Sequence, residues 1–424
     1  MADRATTPPA RVEEVVSPGG IRAYLVTERS IPFLSLALHF QAGAVYDPPE
    51  RAGLAYMTAG LLDEGAGPYA SQAFRRELED NAIRLAFDAD LDGFTATLKT
   101  LTATREHAFE LLRLALLEPR FDPEPVERIR AQILAELRRR ESDPDYVSSR
   151  AWFARAFAGH GYGRPVRGTP DSIARIARNE LLAVARERLA RSELSIGVAG
   201  DIGPEELASL LDRTFQGLPD RASKPVVTAT EPALGETIVV PMPIPQSIVT
   251  FGRTGIPRND PDYYAATIAN YILGGGGFSS RLMEEVREKR GLAYSVYSYL
   301  HEARLAPLWL GAVATSNERV AQSIAIVREE VAKLAAGEVE ERELADAKTY
   351  LTGSFPLRLS TNDQIARMLL GMMVHGLGRR FLEERNGLIE AVGREDLARA
   401  CRRLYAGELL ITVAGRPEGL ASTS

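Results

Sequence analysis

Two segments of the chain read alike. LSIGVAGDI, Leu194 to Ile202, and LLITVAGRP, Leu409 to Pro417, are each a short apolar strand that ends in Val-Ala-Gly and a turn. Gly200 and Gly415 are 215 residues apart, and the same shift carries Tyr56 onto Tyr271, inside the apolar helix pattern YYAATIANYILGGGG. A strand-rich stretch precedes each helix, IRAYLVTERSIPFLSLALHF in the first half and ETIVVPMPIPQSIVTFGRTG in the second. Self-similarity at so long a period points to a duplicated domain. A chain of 424 residues also exceeds one ordinary core.

Within each half the strands ATLKTLTA and LWLGAVATS lead into the helices REHAFELLRLALLE and NERVAQSIAIVREEVAKLAA, with Asn317 placed to cap the second. Strands that meander, with helices on one face, describe an α+β class. LPDRASKPVVTATEPALGE, with Pro219, Pro225 and Pro232 and little periodicity, reads as an extended linker. The expected organisation is therefore two related α+β domains, 1–217 and 237–424, joined by a linker over 218–236. The start, MADRATTPPARVEE, lacks the apolar core of a signal peptide and reads as a short flexible lead-in.

Composition narrows the class of function. Hydrophobic residues at 45% and charged residues at 25% describe a folded, soluble chain. A net charge of −6 speaks against nucleic acid or an anionic membrane as the main partner. No apolar run is long enough to span a bilayer. The single cysteine, Cys401, cannot form an internal disulfide and leaves the compartment open, bacterial periplasm or cytoplasm.

Three motifs bear on chemistry. GLAYMTAGLLDEGAG, Gly53 to Gly67, places Leu54, Met57 and Leu61 at helical spacing, which sends one face of this helix into a core. GGGGFSSRLMEEVREKRGLAYSVYS, Gly274 to Ser298, runs four glycines into Phe278, a charged amphipathic helix, Gly291 and an aromatic strand. The glycines do not make a phosphate loop: no Gly-Lys-Ser/Thr follows, and serines stand where a G-x-G-x-x-G would end. They instead leave room for another backbone or let the loop flex. The arginines of AELRRRESDPD have acidic neighbours and make a solvated helix end. Met368, Met372 and Met373 read as core packing, and Ser279 and Ser280 lack any readable His-Asp arrangement.

Together with AFAGHGYGRPVRGTPDSI, these blocks give nearly the whole chain a resemblance to the inverzincin, or pitrilysin-type, metallopeptidases, in the branch that includes mitochondrial processing peptidase. The resemblance implies duplicated α+β halves, with two such subunits closing like a clamshell around an unfolded peptide. The family's zinc motif is H-x-x-E-H. Laid on this chain it falls on Tyr56 to Gly60, with Tyr56 and Gly60 in place of the histidines and Ala59 in place of the glutamate base. The third ligand of the family corresponds to Glu136. A catalytic zinc needs three protein ligands and an open position, so this chain is expected to hold none and to be inactive alone. His39, His107, His160, His301 and His375 are scattered without ligand spacing.

The family also carries an arginine and, seven residues on, a tyrosine that face the substrate from the half without zinc. Here they are Arg287 and Tyr294. A fixed phenol can donate to the oxygen on which charge develops, and a guanidinium can hold neighbouring carbonyls through its fixed donors. The bland alternative is Arg287 pairing with Glu284 or Glu288, and Tyr294 as one of several strand aromatics with Tyr297 and Tyr299. Arg290 is the nearest rival for the arginine, at the wrong spacing. The resemblance implies a zinc-free subunit of a heterodimeric metallopeptidase, in which a partner carries H-x-x-E-H and zinc. Gly274, Gly275, Gly276, Gly277 and Phe278 would contact the unfolded peptide. The rival readings are a scaffolding subunit, like relatives in the respiratory bc1 complex, and a homodimeric peptide-binding protein.

Overall fold

A computed structural model describes residues 11–423. Most of the expected lead-in lies outside these residues, but Glu13 and Glu14, read as part of it, begin a strand instead. Their neighbours Val12 and Val15 are buried, which accounts for the order.

The chain divides into two compact units, each built on one sheet. The first sheet has six strands, in the order Glu13–Val16, Arg22–Thr27, Leu194–Gly200, Phe33–Phe40, Phe94–Leu101, Arg84–Ala89. The second has five, in the order Thr237–Pro241, Leu410–Gly415, Gln246–Thr254, Leu308–Ser316, Ala293–His301. Leave out Glu13–Val16 and number the rest by chain order within each half. Both sheets then read 1-5-2-4-3, and in both only the pair 1–5 is parallel. Shared order and shared strand sense are the duplication seen in three dimensions.

The repeated Val-Ala-Gly has a steric cause. Gly200 and Gly415 both have positive φ, 137° and 154°. A Cβ on Gly200 would lie 2.2 Å from the Phe33 carbonyl oxygen, and one on Gly415 would lie 2.0 Å from Ser247 Oγ. Each half thus needs a residue without a side chain where its last strand leaves the second one.

The expected one-sided helical cover is incomplete. In the second unit, Phe251, Ile411 and Val413 face a core formed with helices such as Val320–Ala335 and Arg394–Tyr405. Their strand neighbours Thr250 and Thr412 point the other way, as the two-residue period of a strand requires. That second face is covered by the helix Pro144–Ala156, which comes from the first half of the chain. Its Ser148 hydroxyl lies 2.9 Å from Thr250 Oγ1 and 3.0 Å from the Thr412 carbonyl oxygen, and Trp152 Nε1 donates to the Leu410 carbonyl at 3.0 Å. The exchange is reciprocal. In the first unit the helix Asn362–Val374, from the second half, covers Leu194–Gly200 so closely that a Cβ on Gly197 would lie 2.1 Å from the Ala366 carbonyl oxygen. Met372 is buried in that packing.

No helix or strand occurs between Phe215 and Thr237. This segment is held by its backbone, with Ser223 N donating to Glu187 O at 2.7 Å in the first unit and Ala233 N to Ala156 O at 2.9 Å in the second. Asn317 does not cap the helix that follows it. Its side chain accepts from the Ser247 hydroxyl at 2.6 Å and donates to the Ile244 carbonyl at 2.9 Å, and a short 3-10 turn, Asn317–Arg319, opens the helix.

Gly415→Ala should lower the stability of the chain by about 2–4 kcal/mol, since a methyl meets Ser247 and the backbone is left-handed. Gly371, inside Asn362–Val374 with open space where its Cβ would be, is the control: Gly371→Ala should stabilise by about 0.5–1 kcal/mol. Denaturant midpoints that move equally for both would contradict the steric account.

Candidate functional site

The degenerate zinc helix, Leu54–Ala59, is entered through Gly53 at φ 92°, where a Cβ would lie 2.7 Å from Ile173 Cδ1. Leu54, Met57 and Leu61 are buried, as their spacing predicted. The Asp47 carboxylate accepts from Ala55 N at 3.1 Å and pairs with Arg188 at 2.7 Å, which satisfies a helix start that would otherwise leave donors unpaired.

The residues at the motif positions do not suit a zinc ion. The half-buried Tyr56 phenol accepts a hydrogen bond from Arg167, whose guanidinium also lies 4.4 Å from the Tyr56 ring centroid. A fixed cation at the first ligand position opposes a divalent ion. Ala59 offers a buried methyl, and a Cβ on Gly60 would face Ile129 Cγ2 at 3.7 Å. Glu136 pairs with Arg140 one helical turn away, at 3.0 Å. Among the described residues no group of three or more His, Cys, Asp or Glu is placed to hold a metal. Of the histidines, His107 meets Glu77 at 2.9 Å, and His160 accepts from Tyr162 N at 3.1 Å to cap a turn.

The acidic end of the same segment has a structural duty. Glu64 accepts from Ser71 Oγ at 2.6 Å, Arg75 at 3.0 Å and Arg128 at 2.6 Å. Burial alone would raise its pKa, but the hydrogen bonds from Arg128 and Ser71 and the two positive charges hold it below the usual carboxylate range. Asp63, beside it, has no such set of donors. Burial, and then the Glu64 charge, push it up to about 6.

The glycine block lies wholly in the second unit. The helix Tyr263–Asn270 widens into a π-helical turn, Tyr271–Gly275. A Cβ on Gly274 would lie 2.5 Å from Ser298 Oγ and 2.7 Å from Ser298 N, so this glycine lets the turn rest on the strand Ala293–His301. Gly275 and Gly276 are similarly close to Asn270 and Tyr271. Gly277, at φ 58°, turns the chain outward into Phe278, which is 70% exposed. Ser280 is buried and donates to the Gly277 carbonyl at 2.7 Å, so it closes the turn.

Arg287 lies on a second π-helical turn, Met283–Glu288, anchored by buried Met283 and Val286. The strand after Gly291 carries an irregularity between Ala293 and Ser295, and Tyr294 stands at that bulge, 81% exposed. Bulges re-aim a side chain in this way. The Arg287 guanidinium is 4.8 Å from the Phe278 ring centroid and 5.0 Å from that of Tyr294. Glu288 lies at 3.6 Å, a looser contact, whereas Arg290 is bound to Glu285 through its carboxylate and its carbonyl oxygen. The structure thus brings Phe278, Arg287 and Tyr294 together on the surface, and places Tyr56, Ala59 and Gly60 on the other unit's helix. Tyr297 and Tyr299 stack on each other at 6.3 Å, farther along the strand. The sequence reading did not single out Arg167 or Asp63: no spacing rule links Arg167 to Tyr56, and the burial of Asp63 depends on the tertiary fold.

Residues 24–170 match the family described as Insulinase (Peptidase family M16), and residues 175–351 match Peptidase M16 inactive domain. The chain belongs to peptidase family M16. It is 29% identical over 333 residues to the non-peptidase homolog YmxG of Helicobacter pylori, covering 78% of this chain and 77% of that one. It is 27% identical over 414 residues to an uncharacterized zinc protease of Mycobacterium bovis, covering 95% and 92%. A crystal structure of a peptidase M16 inactive domain from Pseudomonas fluorescens superposes with a TM-score of 0.90 at 28% identity, over 96% of this chain and 98% of that one. No helix among the described residues is long and apolar enough to cross a membrane.

Asp63 makes a pH prediction. Its folded pKa lies above the unfolded value of 3.8, so the folded state binds more protons between pH 4 and 6, and its contribution to stability is lost as pH rises through 6. Asp63→Asn should therefore stabilise the chain at pH 7.5, by at most about 3 kcal/mol, and bring no gain at pH 4. Urea denaturation at the two pH values measures it; an equal change at both would refute the cause.

Proposed function

We propose that this M16 chain is the zinc-free subunit of a two-subunit metallopeptidase acting on unfolded peptides. One observation carries the reading. A chain whose zinc positions hold Tyr56, Ala59 and Gly60 nonetheless presents Arg287 and Tyr294 together, with the phenol at the surface, inside the segment that matches the inactive domain. Phe278 and Tyr294 are both left largely exposed around the same guanidinium, and such a grouped aromatic surface favours contact with something outside the chain.

In such a complex a partner subunit with H-x-x-E-H supplies zinc and the base. This chain binds and orients. Arg287 donates through its fixed fork to carbonyls of an extended peptide, and Tyr294 donates its phenol proton as a hydrogen bond to the oxygen that becomes negative. Gly275 to Gly277 form the adjoining peptide contact, whereas Gly274, expected to share it, is buried against Ser298. Alone, the chain binds no zinc and cuts nothing.

The test mixes this chain with an H-x-x-E-H subunit from the same genome and follows peptide hydrolysis, each chain also being assayed alone and for zinc content. Only the mixture should cut, with zinc confined to the partner. Tyr294→Phe should lower kcat by on the order of 100-fold, the scale for loss of one oxyanion donor. Cutting by this chain alone sinks the reading. A mixture indifferent to Tyr294→Phe makes the chain a scaffold.

A further inference from the structure

The four glycines, Phe278 and the Arg287–Tyr294 pair form one mechanical arrangement. Phe278 is a large apolar side chain left 70% exposed, and the Arg287 guanidinium, 4.8 Å away, is its aromatic-face partner. The same guanidinium lies 5.0 Å from Tyr294, so one cation is shared between two rings. A cation prefers the electron-rich face of a ring, and contact with a ring face does not use up the N–H groups of the guanidinium, of which Nε also lies 3.6 Å from Glu288. An arginine without such walls samples many rotamers and loses that freedom on binding.

The backbone at Phe278 supports the same role. Gly274 is fixed against Ser298, whereas Gly277 has positive φ and no heavy atom within 4 Å of where its Cβ would be. The loop is therefore braced at its base and open at its tip, where Phe278 meets Arg287.

We propose that Phe278 is a positioning residue for Arg287: it holds the guanidinium against Tyr294 so that the N–H edge faces the carbonyls of an extended peptide. The peptide part of this inference rests on the function proposed above, and the stack does not. Phe278 acts here through Arg287, and its ring need not touch the peptide.

Two arms test it. On the full chain alone, the Arg287 Nε–H proton, assigned with Arg287→Lys, should show an upfield ring-current shift in NMR. That shift should fall in Phe278→Leu, which keeps bulk but removes the ring, and persist in Phe278→Tyr. In the mixture with the zinc subunit, Phe278→Leu should raise KM by roughly 3- to 5-fold, the scale of one exposed cation–π contact, with kcat within about twofold. Phe278→Tyr should restore KM, and Phe278→Leu should add nothing in an Arg287→Met background. An unchanged proton shift in Phe278→Leu overturns the stack. A KM effect that persists in the Arg287→Met background overturns positioning and makes Phe278 a direct peptide contact. If no mixture is active, the proposed function fails, and the NMR arm alone decides whether Phe278 positions Arg287.

Discussion

Each sheet depends on a helix drawn from the other half of the chain. A sheet with only one covered face would leave its second row of strand residues in water. Here those rows include Thr250, Thr412 and Gly252 in one unit and Gly197 in the other, small residues that accept a helix at close range. The Ser148 and Trp152 hydrogen bonds to strand groups satisfy buried polar atoms that would otherwise be costly. Neither chain half, taken as a continuous segment, contains all that its sheet needs. The linker can then be an extended strip without secondary structure, since the exchanged helices already commit each half to both units.

The degenerate zinc helix is understandable on the same terms. Its apolar face is part of a core, so losing the ligands did not remove the reason to keep the helix. The polar positions have been refilled. Arg167 satisfies the Tyr56 phenol, and Asp47 joins the helix start to Arg188. Glu64 has become the centre of an ion-pair group with Arg75 and Arg128. The unfavourable element is Asp63, whose charge at neutral pH is poorly compensated.

Much of this was legible from residues in order. The repeated Val-Ala-Gly announced the duplication because the same steric conflict recurs in both halves. The helix face of Leu54, Met57 and Leu61, the strands and the unstructured linker follow from local patterns. The family resemblance, not the spacing by itself, pointed to Arg287 and Tyr294 as a pair, and the structure brings the two side chains together. What was illegible is what depends on distant partners. Helix exchange has no local signature, because nothing in the residues of Pro144–Ala156 or Asn362–Val374 says which sheet the helix will cover. Asn317 has the identity of a cap, but a loop from the neighbouring strand claims its amide. Arg167 lies 111 residues from Tyr56, and no periodicity connects them.

Among the arginine–tyrosine contacts of the described residues, those at Tyr56 and Tyr294 differ in a way that bears on function more than either alone. At Tyr56 the guanidinium both covers the ring and donates to the phenol oxygen, so the pair is closed on itself and half-buried. At Tyr294 the guanidinium meets the ring face, while the residue remains 81% exposed. Face contact uses the charge of the cation but, apart from the loose Nε contact with Glu288, leaves the guanidinium donors and the phenol proton for another molecule. The same two residue types thus make a plug in one unit and an open donor pair in the other. Geometry separates the two roles, with the bulge at Tyr294 turning the second pair outward.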